Sequence, residues 1–305
     1  MSAVDALGLD IGGTKIAGAR VTPLGELVAH ASRPTTPDNP ELILDALVEI
    51  CEELGGRDGL PAVGVAVAAF LDRDRENLFF SPNIAWQNFP LKAEVEKRLG
   101  VPVVLENDAN AAGWGEFRFG AARDVQSMIM LTIGTGVGGA LVDDGRLLVG
   151  GFGMAAELGH LIIEPGGRLC GCGNYGCLEQ HASGTALMRD ARERLGDESL
   201  TQAAVTDLLR EGNTHALEAL DGVARAMGRG IASLVAVTDP ELIVIGGGVA
   251  SAGDLLLEPI RESFLDTYGA GARRPVAGIV AATMGNTAGV VGAADLARAQ
   301  RKSGA

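Results

Sequence analysis

No apolar run in this 305-residue sequence is long enough to span a bilayer. The longest uncharged apolar stretch, Gly59–Leu71, is short and contains Pro61. Met1–Leu7 has neither a cationic region nor a long apolar run, so no secretion signal is expected. Positive charge is scarce as well: 39 carboxylates against 25 lysines and arginines give a formal net charge of −14. A field of that sign repels phosphate backbones and anionic membrane surfaces, which argues against nucleic acid and membrane as partners. Small anionic ligands stay open, because local backbone dipoles override a global field. Lysine is rarest, four against 21 arginines, beside 44 glycines. That bias fits a GC-rich genome as well as any physical need, and carries no mechanism.

Cysteine is sparse but not scattered. Three of the four fall in Cys170-Gly-Cys172-Gly-Asn-Tyr-Gly-Cys177, with His160 ten residues upstream. Three thiolates and one imidazole form a closed tetrahedral set of the kind that holds structural zinc. A disulfide leaves one of the three unpaired and strains a Cys-x-Cys loop. An iron–sulfur site usually wants four thiolates. Zinc is therefore expected at His160, Cys170, Cys172 and Cys177, with carboxylates Glu157 and Glu179 on either side. Cys51 lies among Leu47, Ile50 and Leu54 at helical spacing and reads as core. Clustered thiols and the missing signal place the chain in a reducing cytoplasm.

The hydrophobic fraction is 47% and the charged fraction 21%, which reads as globular and ordered, with length enough for two domains. Glycine punctuates the chain in three places. Leu7–Val21 reads as strand, Gly12-Gly13 turn, strand; Met128–Asp144 repeats that layout around Thr132-Ile-Gly-Thr-Gly-Val-Gly-Gly139, and Asp144-Gly145 signals a further hairpin. Two related lobes, each opening with a glycine-tipped hairpin, are expected. The third cluster, Gly246-Gly-Gly248, follows Leu242–Ile245, an apolar run of the kind buried on both faces of a parallel sheet. Helices are expected after Asn39-Pro40 and over Leu91–Leu99, Ala182–Leu195, Thr214–Val237 and Leu255–Tyr268. Alternating strands and helices set the class as α/β.

Gly134-x-Gly136-x-x-Gly139 matches a dinucleotide fingerprint as a string, but a strand follows where a helix is required. No Gly-x-x-x-x-Gly-Lys-Ser/Thr segment is present. Hairpin tips either simply turn the chain or let consecutive backbone N–H groups converge on phosphate oxygens. Two tips of similar layout favour phosphate, at Asp10, Gly12, Gly13, Thr14 and Lys15 and at Gly134, Thr135 and Gly136. Asp108, in Glu106-Asn107-Asp108-Ala-Asn110, reads either as a helix cap or as a proton acceptor at the carboxyl end of a strand. Asn83, in Ser81-Pro-Asn-Ile-Ala-Trp86, is either a turn residue or a sugar ligand. His30, His181 and His215 show no ligand spacing.

Together these motifs resemble the ROK family of sugar kinases, and within it the bacterial ATP-dependent glucokinases. The resemblance adds Glu157-Leu-Gly-His160, Cys170–Glu179 and Gly285-Asn-Thr-Ala-Gly289, and runs from residue 7 to about 295. Glu-x-Gly-His followed by Cys-x-Cys-Gly-x-x-Gly-Cys-x-Glu is its most specific part. It implies an actin-like (ribonuclease H-like) ATPase fold: two α/β lobes, an interlobe cleft and a zinc-bound loop. The small lobe would be residues 1–108 completed by 287–305, and the large lobe 109–286. ATP would meet both hairpins (Asp10, Gly12–Lys15; Thr132, Gly134–Gly136), Mg²⁺ would lie near Asp10, and Gly246, Gly247 and Gly248 would lie near the nucleoside. Glucose would be held by Asn83, Asn107, Asp108, Glu157, His160 and Glu179, with Asp108 as base at the 6-hydroxyl. A homodimer or homotetramer is implied.

Ala69 departs from the pattern, since members commonly have glycine there. A methyl group beside the sugar keeps another hexose or an N-acetylhexosamine open as substrate, and polyphosphate stays open as donor. Sugar-responsive repressors of the family carry an added helix-turn-helix; the hairpin beginning at Leu7 and the negative charge argue against that role.

Overall fold

The computed structural model describes residues 4–55, 62–269 and 275–303, so residues 59–61 of the apolar stretch lie outside it. β1 (Ala6–Ile11), β2 (Lys15–Val21) and β3 (Leu27–Pro34) form an antiparallel run. α1 (Pro40–Glu53) follows, with Pro40 in the first turn and Asn39 Oδ1 accepting from the Leu42 N–H at 3.4 Å. Its inward stripe is Ile43, Leu44, Leu47, Ile50 and Cys51, so Cys51 is core. Next come β4 (Val63–Val67), the meander β5 (Phe70–Leu71), β6 (Leu78–Phe80) and β7 (Gln87–Phe89), α2 (Leu91–Leu99), β8 (Val103–Asn107) and α3 (Asp108–Phe119). The first sheet has the order β3-β2-β1-β4-β8, with β1, β4 and β8 parallel.

The layout then repeats. β9 (Met128–Ile133), β10 (Val137–Asp143) and β11 (Arg146–Leu147) include the expected Asp144-Gly145 turn, both residues at positive φ (48° and 70°). After α4 (Glu179–Ala182), α5 (Gly184–Leu195), α6 (Gln202–Arg210) and α7 (Thr214–Thr238) come β12 (Leu242–Gly246), α8 (Asp254–Tyr268) and β13 (Gly278–Ala281). The second sheet has the order β11-β10-β9-β12-β13, position for position that of the first. β12 is parallel to β9 and β13, and its Ile243, Val244 and Ile245 are buried, as an apolar central strand requires.

Two details differ from the sequence expectation. The helix read as Ala182–Leu195 begins at Gly184, because Ser183 is extended and its hydroxyl accepts from the Ala186 N–H at 3.1 Å. α6 was not expected; its nine residues present one buried side chain, Val205, too weak a stripe to read.

α9 (Ala288–Ser303) returns to the first sheet. Gly8 and Gly64 make this possible, since a Cβ on either would overlap the carbonyl of Val290 or Ala293. By contacts, Met1–Gln126, Ala140–Ala156 and Thr283–Ala305 form one compact unit, and Ser127–Gly139 with Glu157–Ala282 the other. α3 groups with the first unit because it packs along α9. The 108/109 boundary implied by the resemblance falls one residue inside α3. Among the described residues no helix is long and apolar enough to cross a membrane.

Candidate active site and metal centre

In the first unit the tip Gly12–Thr14 is closed by the Gly12 N–H donating to the Lys15 carbonyl at 3.0 Å. Thr35, just past the end of β3, braces it: its hydroxyl donates to the Gly12 carbonyl at 2.7 Å and its N–H to the Thr14 carbonyl at 3.0 Å. Asn83 lies against the tip, 3.0 Å from where a Cβ on Gly13 would stand. Asp10 is the last polar residue of β1. Burial first, and Asp108 second, push its carboxyl up to about 7, with Lys15 opposing. Gly289, at the start of α9, approaches it so closely that a Cβ would lie 2.8 Å from Asp10 Oδ2.

Asp108 opens α3, but it is not the cap. Asn107 takes that place, its Oδ1 accepting from the Asn110 N–H at 3.1 Å, and its Nδ2 donates to the Ala69 carbonyl at 3.3 Å. The Asp108 carboxyl is thereby left out of the cap. Burial raises its pKa, with hydrogen bonds from the Ala109 and Asp108 amides and from Asn107 opposing. The structure thus gathers Asp10, Asp108, Asn107, Asn83 and the Gly12–Lys15 tip in one unit. Two desolvated carboxyls, of which Asp108 pushes up Asp10, beside a glycine tip, suit a divalent cation and phosphate oxygens.

In the second unit the tip Gly134–Gly136 joins β9 to β10, and Thr132 stands in β9 just before it. Thr135 is exposed. The start of α5 braces this tip: the Gly184 N–H donates to the Gly134 carbonyl at 2.8 Å and the Thr185 hydroxyl to the Thr135 carbonyl at 2.7 Å. Gly247, at a φ of 84°, sits 2.5 Å (by a hypothetical Cβ) from the Ile133 carbonyl, so Gly246–Gly248 presses on the end of β9.

His160, Cys170, Cys172 and Cys177 converge in the same unit, their ligand atoms all within 4.8 Å of one another. Cys170 Sγ is 3.6 Å from His160 Nδ1, and Cys172 Sγ is 3.6 Å from Cys177 Sγ. Tetrahedral zinc bonds of about 2.3 Å to sulfur and 2.0–2.1 Å to nitrogen imply edges of about 3.5–3.8 Å. The set therefore fits zinc, with Nδ1 of His160 toward the metal and Nε2 left for another partner. Glu157 precedes His160 in a single turn, the His160 N–H donating to the Glu157 carbonyl at 3.0 Å. Glu179 joins the two features. Its Oε2 accepts from the Val137 N–H at 3.0 Å, and its Oε1 is 3.8 Å from Cys170 Sγ.

Sequence reasoning missed three groups. Thr35 and Thr185 carry no motif, because their role depends on tertiary contact. Glu116 is fully buried and accepts from the N–H groups of Ala121 (2.8 Å), Thr283 (2.9 Å) and Met284 (2.7 Å). Nothing local marked it, since α3 also carries Asp108, Asn110 and Arg118.

The sequence model of the ROK family matches residues 6–300. A glucokinase of Streptomyces coelicolor is 44% identical over 96% of this chain and 97% of its own length. The crystal structure of a ROK family glucokinase from Streptomyces griseus, in complex with glucose and AMPPNP, superposes with a TM-score of 0.87 at 41% identity, covering 97% of this chain and 99% of that one. A ROK hexokinase from Thermus thermophilus superposes with a TM-score of 0.86 at 37% identity over 98% of this chain and 100% of that one.

Proposed function

Because the chain belongs to the ROK family, we propose that it is a glucokinase: it transfers the terminal phosphoryl group of ATP to the 6-hydroxyl of glucose. The sugar oxygen forms a bond to the γ-phosphorus, the bond from phosphorus to the β–γ bridging oxygen breaks, and ADP leaves. The hydroxyl proton passes to Asp108. The observation that carries this reading is the division of labour at the start of α3, where Asn107 caps the helix and leaves the desolvated Asp108 carboxyl outside the cap. Its raised pKa brings a base nearer to working pH. Phosphoryl transfer asks the protein chiefly for positioning and charge neutralisation.

Asn83, Asn107, Asp108, Glu157, His160 and Glu179 are assigned to the sugar. Gly12–Lys15, Thr132, Gly134–Gly136 and Gly246–Gly248 are assigned to ATP, and Asp10 to Mg²⁺. When bound, Mg²⁺ offsets the charge on the transferring phosphates. The zinc set has all four positions filled by protein, so its role is to hold Glu157, His160 and Glu179 in place. A cytoplasmic homodimer or homotetramer completes the reading; sedimentation velocity checks the assembly.

The test is ADP release from ATP and Mg²⁺ against a panel of hexoses and N-acetylhexosamines, repeated with polyphosphate as donor. Turnover on glucose with ATP is expected to be fastest. No ADP with any sugar would sink the kinase reading, and a higher kcat/KM on another sugar would sink the glucose assignment.

A further inference from the structure

A cavity of about 450 Å³ lies wholly within the first unit, apart from Asp10, Asp108 and the hairpin tip. Four cations line it, Arg73, Arg75, Lys92 and Arg146, against the two carboxylates Asp74 and Glu106. In a chain of net charge −14, such a basin is a local reversal of sign. Arg73 and Arg146 are exposed and have no carboxylate partner among the described residues. Among the described residues, the one carboxylate that Lys92 reaches is Glu76, at 3.8 Å. Apolar side chains, among them Leu105, Trp114 and Leu147, supply the remaining wall.

Arg75 is held there at a cost. Its φ is 57°, the left-handed region that a long side chain rarely adopts. Its guanidinium donates to the carbonyls of Asp72 (3.0 Å) and Gly153 (2.7 Å) and lies 2.7 Å from Glu106 Oε1. Its buried Nε has no partner among the described residues, and an orphan donor of this kind is uncommon without a ligand or water. The same Glu106 Oε1 accepts from the Asn107 N–H at 2.9 Å and from Asn110 Nδ2 at 3.0 Å. Whatever engages Arg75 therefore touches the segment that carries Asp108.

We propose that this cavity binds a small organic phosphate. The cations match a phosphomonoester dianion, and guanidinium groups do so bidentately. The volume falls within the range of small-molecule sites and exceeds what an inorganic ion fills, while the apolar wall suits a carbon skeleton.

Isothermal titration calorimetry on the whole protein, with glycerol 3-phosphate and with inorganic phosphate as probes, tests this without any turnover. The wild type is expected to bind glycerol 3-phosphate saturably, and more tightly than inorganic phosphate. The Arg73→Glu/Arg146→Glu double variant, altered only at exposed positions outside the proposed catalytic machinery, is expected to bind it at least about tenfold more weakly. Arg73→Lys/Arg146→Lys is expected to recover part of the loss. No saturable binding below roughly 10 mM overturns the proposal, as does an equal Kd in the charge-reversed variant. Inorganic phosphate binding as tightly as the ester overturns the assignment of an organic ligand.

Discussion

The two hairpin tips occupy the same position in sheets of the same strand order, yet they are held in different ways. The first, Gly12–Thr14, carries its own charge, between Asp10 and Lys15, and leans on Thr35 and Asn83. The second, Gly134–Gly136, has no charged residue of its own. Its carboxylate, Glu179, opens α4 directly after a loop folded on the thiol–imidazole cluster and closed by two isolated bridges, Ile162↔Cys177 and Leu169↔Tyr175. Duplicated backbone therefore does not imply duplicated support: one tip is braced by Thr35 and Asn83, the other by the start of α5 and by a carboxylate beside the metal-ligand cluster.

Stripping zinc with a chelator is the strongest way to break that comparison. Structural zinc contributes about 10–16 kcal/mol in small metal-dependent folds, an upper bound here because the second unit has its own core. Hydrogen exchange is expected to rise at residues 134–137 and to stay unchanged at 12–15, with a higher KM for glucose. Equal protection of both tips after metal removal would show that Glu179 holds Val137 without help from the cluster.

Asp108→Asn is next in size. Loss of a general base should lower kcat by about 10²–10⁴-fold. The melting temperature near pH 7 should not fall, because the buried carboxyl has a raised pKa and its ionised form gives no stability there. Activity within tenfold of wild type would remove Asp108 as the base.

Asp10 gives the first tip a pH signature that the second lacks. Its carboxyl stands near 7 in the fold, against an ordinary value of 3.8. The folded state holds this proton more tightly than the unfolded chain does. Its contribution is thus fully present below pH 4 and is lost as pH rises through 7, by up to about 4 kcal/mol. Protein free of Mg²⁺ and nucleotide should melt lower at pH 8 than at pH 5, and Asp10→Asn should flatten that difference. An identical pH profile in the variant would place the titration elsewhere.

The smallest effect separates two glycines of the second tip. A Cβ on Gly136 would overlap the Glu179 carboxylate, whereas one on Gly134 meets open space. Gly136→Ala should cost about 1–3 kcal/mol and raise the KM for ATP several-fold, while Gly134→Ala should stay within about 0.5 kcal/mol. Equal KM values would mean that the carboxylate simply swings aside.

Most of the frame was legible because it is written in local pattern. Alternating apolar runs, the Asp144-Gly145 turn and the Asn39-Pro40 start each specify their own geometry. The metal set was legible because four ligands of fixed chemistry crowd into eighteen residues, from His160 to Cys177. Asp108 was harder, since cap and base use the same residue type; the Asn107–Asn110 bond removes the cap reading. Thr35, Thr185, Glu116 and the Arg75–Glu106 pair were invisible, because each acts on backbone or side chains distant in sequence or set by an unusual φ.

The return of α9 to the first sheet sets the order in which the chain can fold as it is made. Gly8 and Gly64 are shaped to receive a helix that the ribosome supplies only after the second unit. At about 5–20 residues per second, the 168 residues between α3 (ending at Phe119) and α9 (beginning at Ala288) take on the order of ten to thirty seconds to synthesise. Throughout that interval the face of β1 and β4 that α9 covers has no partner, while the second unit is completed ahead of the first. A chain truncated before Ala288 should thus reach the end of translation with its second unit folded and its first unit dependent on chaperones.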